Sequence, residues 1–298
     1  MEAALQEREV TCELVTFKTL GDKKLDEPLS AIGAKGLFTR ELEVALAKGK
    51  VDCCVHSLKD LPTESPDGLT LAAILEREDP RDVLVVNSVT EADGLMTIPA
   101  GSRVGTSSLR RRAQLIALRP DLEVVELRGN VPTRLRKVDQ GQVHAAILAA
   151  AGLIRLDAQQ LIKQFLEPPA WLPAAGQGAI AVQIRADDNE MRDLLAPLNH
   201  APTDLAVRSE RAFLAALEGG CQVPIGALAI RSDDGTVTLH GFVSDIGGRD
   251  PVRGSVNVDV SSPEVSGRVL AADLRTRGAT SLLMELRNSP QLISPQPE

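Results

Sequence analysis

The 298-residue chain contains no tyrosine, one tryptophan and five phenylalanines. So few aromatic rings give little material for a base-stacking surface, which argues against single-stranded nucleic acid as a ligand. Long apolar runs are missing too. No stretch reaches the roughly 18 apolar residues of a membrane-spanning helix. The four cysteines, Cys12, Cys53, Cys54 and Cys221, stand at no metal-ligand spacing, and the adjacent pair is badly placed for a disulfide. Reduced thiols and no bound metal are therefore expected. The acidic stretch Met1–Glu9 lacks the apolar core of a signal peptide, which points to the cytoplasm, with a plastid as the alternative.

What is present is a globular composition: 43% hydrophobic and 25% charged residues, with 23 Gly and 18 Pro, in a length that suits two or three domains. The net charge of −8 argues against a general polyanion binder. That average hides a local reversal. Between Arg103 and Arg155, nine Arg and one Lys face four acids (Asp121, Glu123, Glu126 and Asp139), so this stretch carries +6 and the remainder −14. A basic middle in an acidic chain implies a site for a small anion, a polycarboxylate or a phosphate.

Hydrophobic patterning predicts strands at Leu14–Phe17, Val51–Val55, Leu69–Leu75, Asp82–Val86, Arg103–Gly105, Leu122–Leu127, His144–Ala149 and Ala179–Ile184. Helices fall between them. One carries Phe38, Leu42, Ala45 and Leu46 and stops at Gly49. Another covers Leu109–Leu118 behind a Ser107 or Ser108 cap, and a third runs from Pro132 to Gly141. This alternation predicts parallel sheets covered by helices. After Pro202 the pattern becomes that of a small α+β unit. It has a helix over Thr203–Leu217 closed by Gly219-Gly220, a hairpin of Ile225–Arg231 and Thr236–Val243, and a helix over Pro263–Arg277 ended by Gly278.

Four segments carry candidate chemistry. His56-Ser57-Leu58-Lys59-Asp60 follows a strand, and the carboxyl ends of strands are where open α/β sheets place ligands. An acid beside Lys and His can move protons or stabilise a developing cation; an ordinary strand–loop junction presents the same residues. Gly105-Thr106-Ser107-Ser108-Leu109-Arg110-Arg111-Arg112 reads as a strand, a hydroxyl-rich turn and a helix start, where free N–H groups and the helix dipole favour an anion. Three consecutive Arg cannot share one helical face, so at least one is expected in solvent, and a basic exposed helix is the competing reading. Arg128-Gly129-Asn130, Arg134 and Arg155 follow further strands, so three successive βα units bring Arg to one sheet edge. That convergence predicts an anion pocket. Cys221 lies just past a glycine helix stop in Glu218–Pro224, on a loop where a thiol can act as a nucleophile. A lone Cys is otherwise a small core residue, the reading adopted for Cys53 and Cys54.

Taken in order, Gly33-Ala34-Lys35-Gly36-Leu37-Phe38, Val55–Asp60, Glu76–Asp82, Val104–Arg111, Leu127–Asn130, Gly176-Gln177-Gly178-Ala179 and Leu217–Pro224 resemble the porphobilinogen deaminase (hydroxymethylbilane synthase) family. The resemblance implies an α/β fold: two α/β domains like those of type II periplasmic binding proteins, plus a small C-terminal α+β domain. Domain 1 is expected at residues 1–75 and 179–196, domain 2 at 81–172 and domain 3 at 201–298, with hinge crossings at Glu76–Pro80 and Pro173–Gly178. The implied reaction is head-to-tail condensation of four porphobilinogen molecules with loss of ammonia, on a dipyrromethane cofactor, followed by hydrolytic release of hydroxymethylbilane. By the same resemblance Cys221 bears that cofactor as a thioether, and Asp60, helped by Lys59, stabilises the cationic azafulvene formed when ammonia leaves.

Lys35, Ser57, Thr106, Ser107, Ser108, Arg110, Arg111, Arg128, Gly129 and Asn130 are then cofactor binders. Arg128, Arg134, Arg155, Gln177 and Phe38 are substrate contacts. The implied partner is the small-molecule substrate porphobilinogen, with no nucleic acid, no membrane and a monomeric chain. Two features depart from the family. Ala31 stands where the family often has Lys. The family's opening strand, Thr-Arg-x-Ser motif and first-helix start have no counterpart, so domain 1 is expected to be N-terminally incomplete. Two other readings compete with the enzyme: a two-lobed polyanion receptor without chemistry, and a truncated, inactive copy.

Overall fold

The computed structural model describes residues 5–17, 19, 39–218 and 223–288. In chain order, helix α1 (Arg40–Ala47) is followed by β1 (Cys54–Ser57), β2 (Leu69–Ile74), β3 (Asp82–Val86) and β4 (Arg103–Gly105). Then come α2 (Leu109–Leu118), β5 (Glu123–Val125), α3 (Val131–Asp139), β6 (Ala145–Ala149), α4 (Ala150–Ile154) and β7 (Gln164–Leu166). The chain continues through β8 (Ile180–Arg185), α5 (Asn189–Leu195), α6 (Ala201–Ala216), β9 (Ile225–Arg231), β10 (Val237–Val243), β11 (Val252–Asn257), α7 (Pro263–Leu274) and α8 (Thr280–Asn288).

The strands form three sheets. In the first lobe the order is β1-β8-β2, with β8 antiparallel to both neighbours. The second lobe has the order β5-β4-β6-β3-β7, in which β4 runs parallel to β5 and β6 while β3 is antiparallel to β6 and β7. The C-terminal unit is an antiparallel β11-β10-β9 sheet. The expected all-parallel sheets are thus corrected to mixed ones. The cause is the two crossings: β3 enters the second lobe from the first, β8 returns to the first from the second, and each runs against the strands beside it.

Alternation along β3 and β6 sorts the second lobe's core onto two faces. Val83, Val85, Ala146 and Leu148 pack with Leu153 and Val138, while Leu84, Ala145 and Ile147 pack with Val104, Leu115 and Trp171. In the C-terminal unit Phe213 of α6 packs with Leu239, Val243, Leu270 and Leu274. Local signals in the sequence set several helix starts. Ser108 Oγ accepts from Arg111 N, and Asn130 Oδ1 accepts from Thr133 N with Pro132 in the first turn.

Other expectations shift. Leu14–Phe17 carries no strand pairing, and the first-lobe strand predicted at Val51–Val55 lies at Cys54–Ser57. The helix predicted over Pro263–Arg277 ends as α7 at Leu274. A break at Gly278 (φ 111°) separates it from α8. A third C-terminal strand, β11, was hidden by its polar, glycine-containing sequence. None of Arg110, Arg111 and Arg112 is in open solvent. The first two are buried, and the half-buried Arg112 donates to Val124 O at 3.2 Å. Of the cysteines, Cys54 is buried with its thiol pushed up to about 12 by burial and by neighbouring Cys53 and Glu43, which makes it inert.

The crossings pack tightly. Glu78 N donates to Gly178 O at 3.2 Å, and a Cβ on Gly178 would run into the Glu78 carbonyl, while its φ of +87° already favours glycine. Two buried carboxylates lock the surroundings. Glu210 of α6 accepts from Arg77 Nη1 (2.6 Å) and Nη2 (3.1 Å) on the first crossing, from Gly176 N (2.7 Å) on the second, and from Ala229 N (2.9 Å) in β9. Asp82, the first residue of β3, accepts from Arg110 Nη1 (2.6 Å), Arg111 Nη2 (2.8 Å), Trp171 Nε1 (2.8 Å) and Gln177 Nε2 (2.8 Å). Burial opposes its charge, yet the two guanidinium groups overcome that and hold the carboxyl well below the usual range.

Two outcomes follow from these contacts. Asp82→Asn leaves two buried guanidinium groups without a counter-charge and should lower stability by about 3–5 kcal/mol in urea unfolding. Because the folded pKa of Asp82 is depressed, its contribution is whole above the unfolded value of about 3.9 and is lost as pH falls below it. The gap in midpoint between wild type and Asp82→Asn should therefore narrow below about pH 4.

Candidate active site

The site begins where β1 ends. Ser57, half-buried, leads into a single 3₁₀ turn, Leu58–Asp60. Leu58 is fully buried against Leu61, Ile74, Ala179 and Val207, and its N–H donates to Ala179 O at 3.0 Å. That anchor fixes the turn and leaves Lys59 and Asp60 at its open side. Lys59 Nζ donates to Gln177 Oε1 at 3.3 Å, while Asp60 is exposed.

The second lobe supplies the facing wall. Arg111 reaches from the first turn of α2 to Asp82, Ile147 O (3.0 Å) and Gln177 Oε1 (3.5 Å). Arg134 of α3 folds back so that Nε donates to Gly129 O at 2.7 Å, beside Arg128. Gln177, buried on the returning crossing, joins the walls. Its Oε1 accepts from Lys59 and Arg111, and its Nε2 donates to Asp82 and to Pro80 O. Two half-open hollows of about 260 and 330 Å³ lie away from this arrangement, one between β2 and α6, the other beside β5 and α3.

Electrostatics in the cleft follow from crowding by both lobes. The surrounding protein thins the water around Asp60 and raises its pKa, although its own surface is open, and the cations Lys59, Arg134 and Arg111 pull it back. Lys59 is lowered to about 8, first by dehydration and then by Arg111 and Arg110, against Asp60 and Asp82. Arg134 is lowered to about 10 by dehydration, Arg111 and Arg128, against Asp60. One exposed carboxylate thus faces a set of crowded cations. Such a wall favours an incoming ligand with several carboxylates, and the carboxylate can steady a cation formed beside it.

The residues singled out from sequence divide into three groups. Asp60, Lys59, Arg111, Arg128, Arg134 and Gln177 come together. Others hold the walls in shape: Thr106 is buried and its Oγ1 accepts from Ser108 N (3.2 Å), Ser107 Oγ donates to Leu127 O (2.7 Å), and Ser108 and Asn130 cap helices. Arg110 also belongs here, spanning Asp82 and Leu172 O (2.6 Å), as does Arg155, whose Nη2 donates to Gly178 O at 2.7 Å on the crossing. Lys35, Phe38 and Cys221, with Ala31, lie outside the described residues. Sequence reasoning missed Asp82, Glu210, Arg77 and Arg211. The signal for Asp82 was an acid opening the apolar run Asp82–Val86; for Glu210 it was an acid among the buried positions of an amphipathic helix.

Fold and site together define a two-lobed α/β protein whose two crossings carry Arg77 and Gln177 and in which one exposed aspartate stands among crowded cations. The chain belongs to the porphobilinogen deaminase family. Residues 1–193 match the model of the porphobilinogen deaminase dipyromethane cofactor binding domain, and residues 205–276 match that of the porphobilinogen deaminase C-terminal domain. It is 53% identical over 278 residues to the porphobilinogen deaminase of Moorella thermoacetica, covering 93% of this chain and 88% of that one. The corresponding protein of Nitratidesulfovibrio vulgaris is 48% identical over 290 residues, covering 96% and 90%. Among solved structures, a periplasmic binding protein of Salmonella typhimurium aligns with 66% of this chain and 77% of its own at a TM-score of 0.38 and 11% identity. Among the described residues, no helix is long and apolar enough to cross a membrane.

The lowered pKa of Lys59 can be read directly. Acylation of its amine, followed by mass spectrometry across a pH series, should show a midpoint near pH 8, well before ordinary lysines at about 10.4. Above that midpoint the cleft loses one positive charge and should hold anions less tightly.

Proposed function

We propose that the chain is a hydroxymethylbilane synthase, condensing four porphobilinogen molecules head to tail with loss of ammonia and releasing the linear product by hydrolysis. The observation that carries this reading is the position of Asp60, an exposed carboxylate opposite Arg111 and Arg134 and beside Lys59. Loss of ammonia from the substrate's aminomethyl carbon leaves a cation delocalised into the pyrrole ring. A fixed carboxylate at that point stabilises the charge as it develops and accepts the ring N–H. The acetate and propionate groups of each substrate unit are held by Lys59, Arg128, Arg134 and Arg111, and Gln177 ties this grip to the hinge. Arg155, bonded to the hinge carbonyl of Gly178, contacts substrate when the lobes approach each other.

The residues present fit the dipyrromethane group that the family carries. Its carboxylates suit the cationic wall, and α6 leads through Leu217 and Glu218 into the segment that contains Cys221. Cys221 would hold it through a thioether, with Lys35, Ser57, Thr106, Ser107, Ser108, Arg110, Arg111, Arg128, Gly129 and Asn130 around it. When bound, the group supplies the terminal pyrrole carbon to which the first substrate is joined. In this reading domain 1 comprises residues 1–75 and 179–196, domain 2 residues 81–172 and domain 3 residues 201–298. The protein works as a cytoplasmic monomer without nucleic acid, in keeping with its net charge of −8.

Intact mass spectrometry after incubation with porphobilinogen should show an adduct on Cys221 that grows by one substrate unit, less ammonia, at each step. Tight reversible binding with Cys221 unmodified would instead identify a polyanion receptor. Asp60→Asn should fold normally and lose at least about a hundredfold in turnover, since it removes the charge that meets the cation. Near-normal ammonia release by this variant would overturn the role given to Asp60.

A further inference from the structure

Arg211, the residue after Glu210 on α6, is half-buried and pairs with no carboxylate among the described residues. Its Nη2 donates to Pro62 O at 2.7 Å and its Nη1 to Leu61 O at 3.3 Å. These are the two carbonyls that follow Asp60 directly. Burial lowers its pKa, so the guanidinium is held there against a dehydration cost, with carbonyl dipoles as its compensation. A carboxylate partner at this point would put a second negative charge within two residues of Asp60 and oppose its ionisation.

The helix that carries Arg211 is well placed to act as a fixed reference. Phe213 and Leu217 are wholly buried in the C-terminal core. Successive residues on a helix point about 100° apart, so Glu210 meets the crossings at Arg77 and Gly176 while Arg211 meets the Asp60 turn. The same helix ends at Ala216, five positions before Cys221 in the chain.

We propose that Arg211 is a positioning residue for Asp60: its planar fork fastens the backbone after the 3₁₀ turn to α6 and so fixes where the catalytic carboxylate stands relative to that helix. The turn is then held on both sides, upstream by Leu58 N on Ala179 O and downstream by Arg211 on Leu61 and Pro62. Arg211 touches no substrate. Its contribution is to orientation, where a displacement of about 1 Å costs on the order of a hundredfold in rate.

The inference rests on the role of Asp60 given above. Its test compares Arg211→Met, Arg211→Gln and Arg211→Lys in the full chain. The readouts are kcat and KM for porphobilinogen and amide hydrogen exchange. Arg211→Met should lower kcat about ten- to a hundredfold with KM within about twofold, and exchange should quicken over residues 58–63 but not in β9–β11. Arg211→Lys, which still donates to a carbonyl, should recover most of the rate and exceed Arg211→Gln. Unchanged kcat in Arg211→Met, a rise in KM alone, or exchange quickening throughout the C-terminal sheet would overturn the proposal. If Arg211→Met does not fold, equal turnover in the Lys and Gln variants overturns it and a clear Lys advantage sustains it. The two readings fail separately: an active Asp60→Asn removes the role of Asp60, whereas an inactive Asp60→Asn beside a fully active Arg211→Met removes only that of Arg211.

Discussion

The Asp82 carboxylate, wholly out of water, is the contact on which the arginine wall of the second lobe and the crossing beside it depend. It is the first residue of the second lobe's β3, and its partners come from the arginine helix (Arg110 and Arg111), from Trp171 ahead of the returning crossing, and from Gln177 within that crossing. One acid between two guanidinium groups leaves a net positive charge on that wall. It also fixes where the charge sits, because neither arginine can swing away without stranding the acid. The basic stretch read from sequence is therefore partly internal. Arg110 and Arg111 answer Asp82, and Arg119 answers Asp121 and the carbonyls of Leu95 and Ile98. Nearer to Asp60 stand Arg134, bonded to Gly129 O, Lys59, bonded to Gln177, and the outer edge of Arg111, with Arg128 beside Arg134 and 3.7 Å from Glu126.

A second buried acid gives the C-terminal unit its purpose. Glu210 binds both crossings at once, through Arg77 and Gly176, and ties them to β9. On the other side of the hinge, Gly248 packs so closely on α2 that a Cβ would run into Ala113 O, while Leu228 and Phe242 share a buried cluster with Ala113 and Leu172. The small unit thus grips the hinge and the arginine helix together.

Much of this was legible from the chain. The βα alternation, a helix cap at Ser107 or Ser108, the helix start at Pro132 and the strand ending before Asp60 follow from local signals, whereas the bounds of the crossings come from the family resemblance. Strand direction was not legible. Apolar runs such as Val83–Val86 and Ala145–Leu148 read alike in parallel and antiparallel sheets, and only the double crossing reverses β3 and β8. The partners of charged residues were equally hidden. Asp82 and Arg110 are 28 positions apart, and Arg77 and Glu210 are 133 apart, so no periodicity connects them. Three arginines in sequence announce positive charge. Whether they face a ligand or a buried acid is decided by the strand behind them.

The place of β8 bears on how the chain is assembled during synthesis. It is the middle strand of the first sheet, between β1 and β2, yet it follows every strand of the second lobe in the chain. As the polypeptide leaves the ribosome, the second lobe's five strands are all available before residue 180 has been made. Among the described residues, β1 and β2 pair with no strand but β8, so both stay unpaired until it arrives. Exposed strand edges of that kind invite wrong pairing, so the half that bears Asp60 is also the half that most needs protection while the chain is being made.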